Sequence, residues 1–228
     1  RISANRTMNL SPRLSKAVEL VPEGLTVRDI GADHGFLSLK LASSGHKVYS
    51  VENKKGPYHN LLKTLEEHPN ESITPLFQDG LHSIPEDVEG IILLGRGGNT
   101  IYKILKEKEE EIQKLKFVLI EPQSDFSLII SYLLNQGFEN DAGQYVFERH
   151  YYPLLRFVPS EEKKAYDKDD FEYGPYPIRY GDKMLLEFVQ RKLNLLSNLS
   201  NNTKIDLSEK ESELKALKNK LRRSIDER

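Results

Sequence analysis

The chain has 228 residues, 38% hydrophobic and 30% charged, with a formal net charge of −2. That apolar share supports a core, and the near-neutral total argues against a strongly nucleic-acid-binding protein. Cysteine is absent, which excludes a disulfide scaffold, a thiolate zinc site and a cysteine nucleophile. No apolar run reaches the length of a membrane span, and no secretory pattern opens the chain, so a cytoplasmic location is expected. Residues 1–7 precede Met8 and are expected to be foreign to the native chain. Ser11 is an N-cap with Pro12 at the first helical position. Leu14, Ala17, Val18 and Val21 follow at helical spacing until Pro22 and Gly24 stop the helix.

An alternating pattern comes next. Strands are predicted at Leu25–Ile30, Lys47–Val51, Ile73–Phe77, Gly90–Leu94 and Phe117–Ile120. Helices are predicted between and after them at Phe36–Ser43, Pro57–Glu67, Asn99–Lys114 and Phe126–Asn135. Asn99 is expected to cap the third of these, and Ser124 or Asp125 the fourth. Gly143–Arg149 and Leu154–Pro159 read as two more strands too close together for a parallel crossover, hence an antiparallel hairpin. The expected fold class is α/β: a doubly wound, Rossmann-like, mostly parallel sheet closed by that hairpin.

The tail changes character. Ser160–Phe171 is charged, and Tyr173–Pro177 is read as non-helical because of its prolines and glycine. From Gly181 a stripe of Leu185, Phe188, Val189, Leu196 and Leu199 gives one helix. Asn201, Asn202 and Thr203 make a turn. Leu207, Leu214, Leu217, Leu221 and Ile225 stripe a second helix, so an antiparallel, coiled-coil-like pair is expected. The resulting division is a catalytic domain over 8–159, a linker over 160–180 and a helical hairpin over 181–228. The charge divides too: residues 183–228 hold 11 basic and 7 acidic residues, while residues 1–182 carry −6. A solvated helix surface and a footprint for a polyanion both fit.

Ligands of such sheets bind beyond the carboxyl ends of the strands. After the first strand, Asp29 leads into Gly31, Asp33, His34 and Gly35. Asp33 stands where a dinucleotide fingerprint has its middle glycine, so a pyrophosphate is disfavoured and an ammonium-bearing ligand such as S-adenosylmethionine is favoured. Glu52, with Asn53 beside it, ends the second strand and can accept from ribose hydroxyls. Asp79 and Gly80 follow the third strand and suit an adenine amino group. Gly95, Arg96, Gly97 and Gly98 follow the fourth and can curl over a cofactor. Glu121 to Asp125 follow the fifth. Together these strand ends point to a class I S-adenosylmethionine methyltransferase. The six histidines show no metal-ligand spacing, so no metal is expected.

Asp29-Ile30-Gly31-Ala32-Asp33-His34 resembles the D-I-G-S-D-H signature of the bacterial tRNA (adenine(22)-N1)-methyltransferase family. Asn9-Leu10-Ser11-Pro12-Arg13-Leu14, Val21-Pro22-Glu23-Gly24, Lys55-Gly56-Pro57 and Asp79-Gly80-Leu81 match it as well. So do Gly95-Arg96-Gly97-Gly98, Glu121-Pro122-Gln123 and Tyr173-Gly174-Pro175-Tyr176, in the same order. Three positions depart: Arg96 stands for a usual Met, Phe36 for a Tyr and Glu121 for an amide.

The resemblance implies methyl transfer from S-adenosylmethionine to N1 of an adenosine in the tRNA D-arm region. Asp33 would then stabilise the positive charge developing on the base, or hold the cofactor's ammonium group. Phe36 would stack on the target base or pack in the core. Gly95 and Gly97 would complete the catalytic loop. His34 would donate to the cofactor carboxylate or serve as a hydrogen-bonded structural histidine. RNA contact would fall to Arg13 and Lys16 on the first helix. In the tail it would fall to Arg179, Lys183, Arg191, Lys192, Lys218, Lys220, Arg222 and Arg223. A monomer is expected, with dimerisation through the helical pair as the alternative. The competing readings are a methyltransferase for a small molecule or protein, and a non-catalytic adaptor of the same fold.

Overall fold

A computed structural model describes residues 10–162, 164–202 and 206–228. Residues 1–7 therefore lie outside the described residues. In chain order the elements are α1 (Pro12–Leu20), β1 (Thr26–Ile30), α2 (Phe36–Ser43), β2 (Lys47–Glu52), α3 (Lys55–Glu67), β3 (Ile73–Phe77) and β4 (Gly90–Arg96). Then follow α4 (Gly98–Lys106), α5 (Glu109–Ile112), β5 (Phe117–Pro122), α6 (Phe126–Asn135), β6 (Phe138–Glu148) and β7 (His150–Pro159). The tail forms α7 (Lys168–Tyr173), α8 (Pro175–Arg179), α9 (Lys183–Asn202) and α10 (Ser208–Asp226).

The seven strands form one sheet in the order β3-β2-β1-β4-β5-β7-β6. The first five are parallel, and β7 pairs antiparallel with both β5 and β6. The expected Rossmann-like sheet with a terminal hairpin is thus observed. Successive strand residues face opposite sides, so the central strands serve two cores. Ile91, Leu93, Val118 and Ile120 pack with α4, α5 and α6 on one face. Ile92, Phe117 and Leu119 pack with Ala17 of α1 and Leu37, Leu39 and Leu41 of α2 on the other. Gly90 is required by this packing, because a Cβ there would stand 1.9 Å from the Phe117 ring.

Several expectations are corrected. The helix over Asn99–Lys114 is broken into α4 and α5, and the break returns Ile112 and Leu115 to the core beside Leu105. The N-cap of α4 is Gly97 rather than Asn99, whereas Asp125 is the N-cap of α6 as expected, with no side-chain hydrogen bond. The strands β6 and β7 are longer than expected and turn at Arg149, whose φ is 65°. Tyr173–Pro177 contributes to two short helices. Gly174, at φ 91°, ends α7 and opens α8, where Pro175 and Pro177 occupy first-turn positions that need no N–H partner. Asn201 and Asn202 continue α9, while Thr203 lies outside the described residues.

The helices α9 and α10 pack antiparallel. Gly181, just before α9, lies against Ile225 near the end of α10. Leu185, Val189 and Leu193 meet Leu214, Leu217 and Leu221. Leu193 replaces Leu199 in the predicted stripe; Leu199 is 51% exposed. This cluster continues into the sheet through Tyr145 and Tyr151. Half-buried Asp182 fixes the junction, accepting from the N–H groups of Met184, Leu185 and Tyr145.

Candidate active site

The site is built at the carboxyl ends of β1, β2 and β4. Beyond Ile30 the chain turns sharply, with φ of 83° at Gly31, 49° at Asp33 and 73° at Gly35. Glu52, buried at the end of β2, accepts the Asp33 N–H at 2.6 Å and so holds a non-glycine residue in left-handed backbone. Asp29 is buried beneath the turn and accepts from Ser38 Oγ at 2.7 Å. Burial pushes the Asp29 carboxyl up to about 6. The Ser38 hydrogen bond and Arg96 oppose that shift, and the Glu52 charge adds to it.

A cavity of about 300 Å³ opens above this turn, with Asp29, Gly31, Asp33, Phe36 and Gly95 in its wall. Asp33 and His34 are exposed at its rim and lie 3.8 Å apart. The His34 ring stacks on Phe36 with centroids 5.6 Å apart. Phe36 is 41% exposed, so it is not a core residue; Leu37, Leu39 and Leu41 fill that role in α2. The structural-histidine reading of His34 is likewise corrected, since its described contacts are Asp33 and the Phe36 ring at the surface.

A second group lies beside β2. Asn53 Nδ2 donates to Asp79 Oδ1 at 2.8 Å, next to Gly80. Arg28, wholly buried in β1, donates to the carbonyls of Gly80 (2.9 Å) and Ser83, and so holds this loop in place. Burial lowers its guanidinium to about 10. Gly31 borders both groups, and Arg96 lies across it: a Cβ on Gly31 would stand 2.1 Å from Arg96 Nη2. A bulge in β4 at Gly95 aims Arg96 there. The Arg96 Nε is buried without a hydrogen-bond partner.

The same bulge turns the Gly95 N–H to Glu121 Oε2 at 2.9 Å. Arg13 reaches Glu121 at 2.5 Å and Glu148 at 3.2 Å, tying α1 to β5 and β6. Burial pushes the Glu121 carboxyl up, and Arg13 and the Gly95 N–H pull it back. Gly97 does not line either space, and a Cβ there would stand 3.0 Å from Ser124 Oγ.

Residues 10–155 match the family described as methyltransferase domain. The chain belongs to that family. A curated tRNA (adenine(22)-N1)-methyltransferase of Bacillus subtilis is 28% identical over 120 residues, 50% of each chain. The match thus spans half the length of that relative. The fold is shared with a protein of the NADB-Rossmann superfamily from Streptococcus agalactiae. That structure has a TM-score of 0.81 and 24% identity, and the match covers 96% of this chain and 98% of that one. It is shared also with M. capricolum TrmK in complex with S-adenosyl-homocysteine, at a TM-score of 0.76 and 22% identity over 95% and 98%.

In this methyltransferase-domain chain the basic residues divide by what they already hold. Arg13 is spent on Glu121 and Glu148. Lys192 is half-buried, bonded to the Tyr173 hydroxyl at 3.0 Å and paired with Glu172. Lys220 pairs with Asp167 at 2.7 Å and Lys16 with Glu19. Each of these four therefore already has a partner within the chain. Arg179, Lys183, Arg191, Arg222 and Arg223 are exposed, although Arg191 lies 5.1 Å over the Phe147 and Tyr151 rings and Arg179 5.9 Å over Tyr166; Lys218 is half-buried on α10. Arg28 is the positioning residue that sequence reasoning missed; an arginine beside Asp29 in a strand expected to be buried was its signal.

Proposed function

We propose that this chain transfers a methyl group from S-adenosylmethionine to N1 of adenosine 22 in the tRNA D-arm region. The observation that carries the reading is one cavity that pairs a buried carboxylate with an exposed acid and aromatic ring. Asp29 lies deep, Asp33 and Phe36 stand at the rim, and buried Glu52 holds the Asp33 N–H. The half-length kinship with the Bacillus subtilis enzyme supports the substrate.

The residues fit the cofactor. Asp29 suits its ammonium group, Glu52 its ribose hydroxyls, and the Asn53–Asp79 pair its adenine. Arg96 lies between these groups and has to swing off Gly31 to join them. When bound, S-adenosylmethionine supplies a methyl group on a sulfonium cation. The protein needs no strong base, because N1 of neutral adenine carries its own lone pair. Phe36 offers its exposed face to the unpaired base. Asp33 stabilises the positive charge that spreads over N1 and N6. With Asp29 on the ammonium group, Asp33 is free for this second role.

Calorimetry with S-adenosylmethionine tests the first half of the reading. Loss of binding would leave only the adaptor alternative. Incubating unmodified tRNA with labelled cofactor and analysing the nucleosides tests the second half, with 1-methyladenosine as the expected product.

A further inference from the structure

A larger cavity, about 460 Å³, lies away from the methyl-transfer site between α1, β6 and the α8–α9 junction. Tyr176 and Tyr180 pack in its wall with centroids 4.2 Å apart and rings tilted by 31°, and Tyr180 is 49% exposed. The Arg228 guanidinium sits 5.5 Å from the Tyr180 ring centre. Lys16 and Lys183 complete a cationic rim. Two carboxylates are present as well, and both are occupied: Glu19 pairs with Lys16, and Asp182 accepts three backbone N–H groups.

We infer that this cavity is a second nucleotide-binding pocket, in which the exposed Tyr180 ring stacks on one unpaired RNA base while Lys183 and Arg228 take its phosphate. The volume is that of a small-molecule site. An exposed aromatic ring beside cations is the chemistry that holds single-stranded nucleotides. The inference rests on the proposed RNA substrate. Helix α1 connects the two sites: Arg13 and Leu14 line the methyl-transfer cavity, and Lys16, Glu19 and Leu20 line this one. At 1.5 Å per residue the separation along the helix is roughly 10 Å, within reach of one strand. A tRNA whose target base enters the first cavity can therefore anchor a neighbouring base in the second.

The test uses the full chain as wild type, Tyr180→Ala, Tyr180→Phe and Lys183→Glu. Unmodified tRNA affinity is measured by filter binding over a salt series, and S-adenosylmethionine affinity by calorimetry. Tyr180→Ala should weaken tRNA about tenfold, as loss of one stacking ring does, with an unchanged salt slope. Tyr180→Phe should bind as wild type does. Lys183→Glu should lower the salt slope by about one ion. Cofactor affinity should be unchanged in all three. Wild-type affinity in Tyr180→Ala, or equal loss in Tyr180→Phe, would overturn the pocket and leave the proposed function standing. A wild-type protein that neither binds nor methylates tRNA would overturn both.

Discussion

The cations of the sheet and those of the helical tail are put to different uses. In and around the sheet, Arg28 holds two loop carbonyls, Arg13 bridges two glutamates, and Arg156 grips Asp141 through two nitrogens while donating to Leu20. Arg96 lies on Gly31. The first three act inside the fold, where a guanidinium's fixed fork satisfies several acceptors at once. Along α9 and α10, Lys183, Arg191, Arg222 and Arg223 face outward on helices whose leucines are turned inward. A regional charge of +4 does not by itself assign an RNA surface. What matters is which cations remain open after the fold has used the rest, and Lys192 and Lys220 show that the tail too spends some of its own.

This contrast can be broken in graded ways. The largest effect is expected at the site itself. Asp33→Ala should lower methyl transfer about 100- to 1000-fold, the loss that follows removal of one charge-stabilising group, with cofactor affinity little changed. An unchanged single-turnover rate would remove Asp33 from its role. Next, Arg28→Met should cost about 3 kcal/mol in urea unfolding, because two buried carbonyls lose their donor. If Arg28 were merely a surplus surface-type cation, stability would not move.

Joint reversal of Arg191, Arg222 and Arg223 to Glu should weaken tRNA binding about tenfold at moderate salt and flatten its salt dependence. Stability and cofactor affinity should be preserved. Arg13→Gln should do the opposite, lowering stability while leaving the salt slope intact. The smallest effect concerns pH. The ionised form of Asp29 favours a ligand ammonium group, and its carboxyl titrates near about 6. Cofactor affinity should therefore rise several-fold from pH 5.5 to 7.5, and Asp29→Asn should flatten that rise.

Local signals were legible. Ser11 and Pro12 do open α1, with Ser11 Oγ accepting from the Leu14 N–H. The unbroken apolar run of β4 does mark a central strand with cores on both faces. The strand-end acids could be found because topology alone brings those ends together. Long-range pairs could not. Arg13 and Glu121 are 108 positions apart, and no period links them. Nor could the position of Arg96 be read, since it depends on a bulge that only the pairing of β4 with β5 reveals. The prolines at 175 and 177 misled because their missing N–H groups matter inside a helix but not in its first turn.

The most direct test of the account compares two unmodified tRNAs, identical except for adenosine or guanosine at position 22, each incubated with the enzyme and labelled S-adenosylmethionine. The account predicts 1-methyladenosine from the first tRNA and no labelled nucleoside from the second. Equal labelling of both, or of neither, would contradict it.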